Sequence, residues 1–199
     1  MAASVQQAQG VNQLSNKEKV AIDEAVKEAA IDIKNAKASQ NHLVMVAGVI
    51  KNLQSRRLFL NKQYIMKGKY VIPPPETLTS DIPGKFVQEG APSQGQLPVV
   101  VGAKAAVIYS PLDKALPSLG WLLAWYKPAE GSEEKNKVYV EVGDLSKLLN
   151  MKESEIEGKL DASHDESHCP GAAARIEDSK DDSRVAMLGA SFFEFLPQC

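Results

Sequence analysis

Histidine, cysteine and net charge are all scarce in this 199-residue chain, and each shortage removes a class of function. Three histidines, His42, His164 and His168, leave few imidazoles for general-base work. No G-x-S-x-G elbow or reactive-cysteine motif accompanies them. There is no P-loop and no G-x-G-x-x-G fingerprint, so no nucleotide cradle is written in the sequence. Two cysteines, Cys169 and Cys199, make no disulfide framework. A single bridge between them is open, but free thiols suit a reducing compartment better. A formal net charge of −2 lacks the basic excess of a dedicated nucleic-acid binder. No apolar run approaches the roughly 18 residues of a membrane-spanning helix. The opening MAASVQQAQG lacks the basic start and apolar stretch of a signal peptide, and no Asn-x-Ser/Thr acceptor occurs. The expectation is a non-enzymatic, cytoplasmic protein with no cofactor, no metal and no nucleic-acid partner.

What is present falls into distinct textures. Residues 1–14, rich in Gln and Ala without an apolar period, read as a flexible tail. Ser15-Asn16-Lys17-Glu18 is a capping box: a hydroxyl for an orphan helix N–H, and a carboxylate three residues on. The spacing predicts an amphipathic helix over 15–38. Ile22, Val26, Ala29, Ala30, Ile33 and Ala36 share one arc, with Asp23, Glu24, Lys27, Glu28 and Lys34 opposite. From Asn16 to Ala38 it would run roughly 34 Å.

After residue 42, Gly and Pro punctuate the chain about every ten positions. The short runs between them, 43–50, 57–65, 69–72, 85–88, 96–100, 103–109, 121–126 and 137–142, read as strands of an antiparallel sandwich or barrel. LSKLLNMKESEIEGKL (145–160) has helical spacing, 161–171 reads as a polar loop, and 184–196 as one or two closing strands with Gly189 at a turn or bulge. The whole is expected to be mainly β, one domain over 15–199.

Charge is unevenly placed. From Ile33 to Pro75 there are eight basic residues and no acid, whereas Ala129 to Cys199 holds sixteen acids against eight bases. Alternation along strands would split those bases between two sheet faces. Residues 161–169 gather Asp161, His164, Asp165, Glu166, His168 and Cys169, and an i, i+4 histidine pair suits zinc on a helix. The zincin pattern places Glu directly after the first His, where Asp165 stands. A solvated loop is therefore the expected reading, and a metal-dependent enzyme the alternative. The aromatics Tyr109, Trp121, Trp125, Tyr126 and Tyr139 lie on neighbouring strand candidates. Trp121, Leu123 and Trp125 fall on one face, and Leu122, Ala124 and Tyr126 on the other.

VIKNLQSRRLFLNKQYIMKGKYVIPPPETLTSDIPGKF, then GAKAAVIY, WLLAWYKP and NKVYVEVG, resemble in order and spacing the plant jasmonate-induced protein family. The same succession is similar to the actinoporin-like β-sandwich of sea-anemone cytolysins. The resemblance covers about half the chain and implies a plant stress or defence role. It also implies a glycan or lipid headgroup as partner, with peripheral membrane contact. For actinoporins it implies docking on phosphocholine heads, followed by release of an N-terminal helix to form a pore. Carried over, it puts ligand contact at Tyr126 and Pro128, with Lys67 and Tyr109 nearby. Pro128 keeps the family residue, Lys67 and Tyr126 stand where the family has serines, and Glu134 stands for a family tyrosine. Tyr126 is expected to stack on the ligand, Lys67 to meet an anion, and Pro128 to stiffen the loop.

Overall fold

The computed structural model describes residues 16–36, 44–90, 101–111 and 119–194. Helix α1 (Asn16–Ala36) precedes eight strands: β1 (Met45–Asn52), β2 (Leu58–Lys67), β3 (Lys69–Ile72), β4 (Thr77–Leu78), β5 (Gly84–Glu89), β6 (Ala103–Ser110), β7 (Leu119–Lys127) and β8 (Lys137–Asp144). Two short helices follow, α2 (Leu145–Asn150) and α3 (Glu153–Asp161), then β9 (Glu166–Cys169), β10 (Ala172–Ser179) and β11 (Asp182–Phe192). Ser15, His42, residues 96–100 and Cys199 lie outside the described residues.

Two sheets face each other, ordered β3-β5-β1-β11-β10-β9 and β4-β2-β6-β7-β8. The expected mainly β sandwich is present, but it is not purely antiparallel. β1 and β11 pair in parallel, from Met45↔Val185 to Asn52↔Phe192. Parallel neighbours need a long crossover, and here the entire second sheet lies between them in sequence. Pairing of the first and last strands leaves no local mark.

The core has three layers of contact. Between the sheets pack Val46, Phe86, Tyr109, Trp121, Leu123, Trp125 and Leu188. Outside the first sheet, α1 lays Ile22, Ala25, Val26 and Ala29 on Ala47, Val49, Val185 and Met187. Outside the second, α2 and α3 cover Ile108, Leu122, Ala124 and Tyr126 with Leu148, Ile156 and Leu160. The two faces read from β7 are thus both buried, against different partners.

Three expectations are corrected. Residues 145–160 form two helices, broken at Met151 and Lys152: Asp144 accepts from the Lys147 N–H at 2.9 Å, and Glu155 from the Lys152 N–H at 2.9 Å, so each piece has its own cap. The polar stretch 161–171 holds β9, which hairpins into β10 through Gly171 at a φ of 96°. Gly189 is no turn; it lies inside the unbroken β11, where an added Cβ would sit 2.7 Å from the Ile22 carbonyl oxygen of α1. Its missing side chain lets the helix rest directly on the sheet.

Ion pairs flank that seat. Lys51 on β1 meets Glu24 at 2.8 Å and Glu28 at 3.8 Å, and Arg175 on β10 meets Asp23 at 2.6 Å. The hydrogen bond and charge of Lys51 hold the Glu24 carboxyl below its ordinary value of 4.5. A lowered carboxyl favours the docked helix above that value, and its contribution is lost as pH falls through the lowered pKa. Hydrogen-exchange protection of α1 amides is therefore expected to fall relative to the sheets below pH 4.5, and Glu24→Gln should remove that step. Glu24 is exposed, so the effect should also shrink with added salt.

Candidate functional site

Three neighbouring strands set one polar cluster at an end of the second sheet. Lys104 on β6 registers with Tyr126 on β7, and a bulge between Ile65 and Lys67 brings Lys67 opposite Lys104. The bulge matters because one extra residue re-aims the side chains that follow it. As a result the Lys67 and Lys104 ammonium groups lie 5.0 and 4.6 Å from the Tyr126 ring centroid. Lys104 is only 5% exposed. A charge that deeply placed needs partners, and α3 supplies Glu157 and Asp161, each at 3.4 Å.

The β7–β8 connection closes over this cluster. The Tyr126 hydroxyl donates to Glu134 Oε2 at 2.5 Å. Burial first, then the bond to Glu134 and the charges of Glu134 and Asp161, push the phenol well above its ordinary range. Tyr126 therefore stays a donor and fixes Glu134. Lys137 donates to the Asp161 carbonyl at 2.9 Å, while Lys127 and Asn136 both bind Asp178, at 2.6 and 2.7 Å.

Beyond that wall opens a cleft of about 950 Å³, lined by Lys127 to Lys137, Asp161 to Asp165, Ile176 to Asp178 and Ser183. Seven of its lining residues are carboxylates and three are lysines, so its field favours a cation. Asn136 Oδ1 is buried there without a hydrogen-bond partner among the described residues.

The structure thus gathers Lys67, Tyr126 and Pro128, with Pro128 on the cleft wall. It changes how Tyr126 can act. The ring expected to stack is 3% exposed beside two ammonium groups, and reaches the cleft only through Glu134. Tyr109 is separated from the group. It is fully buried between the sheets, donates to the Pro75 carbonyl at 2.7 Å, and lies five residues along β6 from Lys104, roughly 17 Å away. Lys104, Asp161 and Lys137 were not singled out as ligand contacts. Lys104 has a signal, a lone cation inside the apolar run AKAAVIY; Asp161 stands out only as a member of the 161–169 cluster, and nothing in the sequence marks Lys137.

The His/Cys segment does not converge. β9 alternates, so His168 and Cys169 point to opposite faces, and His164 joins the sheet through its carbonyl, which accepts from the Val138 N–H at 2.8 Å. No group of three or more His, Cys, Asp and Glu able to hold a metal occurs among the described residues. Burial pushes the Cys169 thiol up to about 11, against backbone hydrogen bonds from Val142 and Ala172. No helix among the described residues is long and apolar enough to cross a membrane.

No protein-family model and no curated protein sequence matches the chain. A solved structure does: the crystal structure of the lipid binding protein Nakanori aligns over 93% of this chain and 90% of that one, with a TM-score of 0.61 and 16% identity. The two chains share a fold. At that identity the likeness concerns the sandwich and not its side chains.

Proposed function

We propose that this protein is a non-enzymatic receptor that holds a zwitterionic lipid headgroup at the β7–β8 end of its second sheet. The observation that carries the reading is the joining of the two halves of the site. Tyr126 to Glu134 and Lys104 to Asp161 tie the basic cluster to the wall of the carboxylate-lined cleft. The cationic end of a headgroup would settle among Glu134, Asp161 and Asp178, and its phosphate would meet Lys67. The shared fold with a lipid binding protein supports a lipid over other ligands. The carboxylate excess favours a headgroup with a cationic end over a neutral glycan, the other partner implied by the sequence. The resemblance to jasmonate-induced proteins supports plant stress or defence as the setting of this binding.

Calorimetric titration with glycerophosphocholine should show binding that Glu134→Ala combined with Lys67→Ala weakens about tenfold or more, from loss of charge-assisted contacts. Binding of a neutral oligosaccharide in its place, or affinity unchanged by the double variant, would overturn the reading. The pore-forming alternative needs α1 to leave its seat. That exposes Ile22, Ala25, Val26 and Ala29 and breaks the pairs to Lys51 and Arg175.

A further inference from the structure

The sandwich has one corner that no strand covers among the described residues. β3 is the outer strand of the first sheet and pairs with β5 alone among the described residues. β2 pairs with β4 only at Leu58 and Phe59, so beyond Leu60 no strand covers its outer edge among the described residues. Gly68, at a φ of 85°, carries the chain between these two free edges. Ile65, Val71 and Ile72 are 45, 50 and 49% exposed there, three of the five exposed large hydrophobics among the described residues.

Lysines interleave with them. Lys67 has no ion pair among the described residues, and Lys69 is 64% exposed. The single acid paired at the corner is Glu89, which is 2% exposed and meets Lys69 at 2.9 Å. A bare strand edge that displays aliphatics calls for a cover. A second copy is a poor one: in a two-fold contact the same patch meets itself, bringing the lysines of both copies together without acids.

We propose that this corner docks on a bilayer containing anionic lipid. Ile65, Val71 and Ile72 enter the interfacial region, while Lys67 and Lys69 meet lipid phosphates. Apolar insertion and basic attraction are the two components of peripheral binding, and here the strands on either side of Gly68 carry both. The inference rests on the lipid reading above and adds where the bilayer lies and which charge it carries. Lys67 belongs to both surfaces, since it also flanks Tyr126.

The test is flotation of the full chain with vesicles of phosphatidylcholine alone and of phosphatidylcholine with phosphatidylserine. Binding should be stronger to the second, and should weaken with salt. Ile65→Asp with Val71→Asp should lower it about tenfold or more, and Lys67→Gln about fivefold. Ile82→Asp, two residues before the start of β5 and itself 71% exposed, should change nothing. Equal binding to both vesicles, an equal loss with Ile82→Asp, or a dimer that the corner substitutions dissolve would each overturn the proposal. Glycerophosphocholine titration separates the two readings. If it still binds the Ile65→Asp/Val71→Asp protein while flotation is insensitive to those changes, docking at the corner falls alone. If it fails while corner-dependent flotation persists, the headgroup site falls alone.

Discussion

Gly48→Val should destabilise the protein by about 3 kcal/mol and lower its Tm by roughly 6–12 °C, read by calorimetry or urea denaturation. Gly48 sits on β1 opposite Phe86 of β5, and the Phe86 ring folds over the space a side chain would fill. An added Cβ would stand 2.1 Å from two ring carbons. The ring cannot swing aside, because it is 1% exposed and packed, tilted by 35° at a centroid distance of 4.6 Å, against the fully buried Trp125. Gly143→Val is the control: nothing lies within 4 Å of its added Cβ, and the change should stay within about 0.5 kcal/mol. A Gly48 variant as stable as the parent would mean that the Phe86–Trp125 contact does not lock the sandwich.

The second large effect is expected at Gln88, a fully buried amide that ties the two sheets together. From β5 its Nε2 donates to the Lys67 carbonyl at 2.7 Å and the Lys104 carbonyl at 3.3 Å, while its Oε1 accepts from Trp125 Nε1 at 2.7 Å. Gln88→Met keeps much of the volume and removes all three bonds. It leaves the indole N–H without an acceptor inside the core, and stability should drop by about 3 kcal/mol. The substitution also loosens the bulged end of β2 that presents Lys67. Headgroup affinity should therefore fall in protein that is still fully folded. A loss of stability with affinity unchanged would show that Lys67 placement does not depend on this bridge.

Much of the sandwich is legible because its strands are short and bounded by turn residues. KYVI is β3 from end to end, and AKAAVIY gives β6 to within one residue. Which faces are covered is less legible. β6 is buried throughout and β7 at all but its first residue, and an alternation of polar and apolar residues disappears when helices cover the second face. β9 was hidden for the opposite reason: an edge strand with half its side chains in solvent has the composition of a loop. At the site, Tyr126 and Pro128 came from motif order. The separation of Tyr109 follows from strand direction and face, which place it inside the core and at the other end of β6. Lys137 meets Tyr126 through the β7–β8 register, whereas Asp161 meets Lys104 only through the packing of α3 on the second sheet, a tertiary fact with no local trace.

The most direct test of the headgroup site is amide chemical-shift mapping of the full chain during titration with glycerophosphocholine. Saturable shifts are expected, confined to residues 129–137, 161–165 and 176–178, with Lys67 following at the same ligand concentration. Shifts that map instead to the β1–β2 connection or to α1, or no saturable shift at any concentration reached, would contradict it.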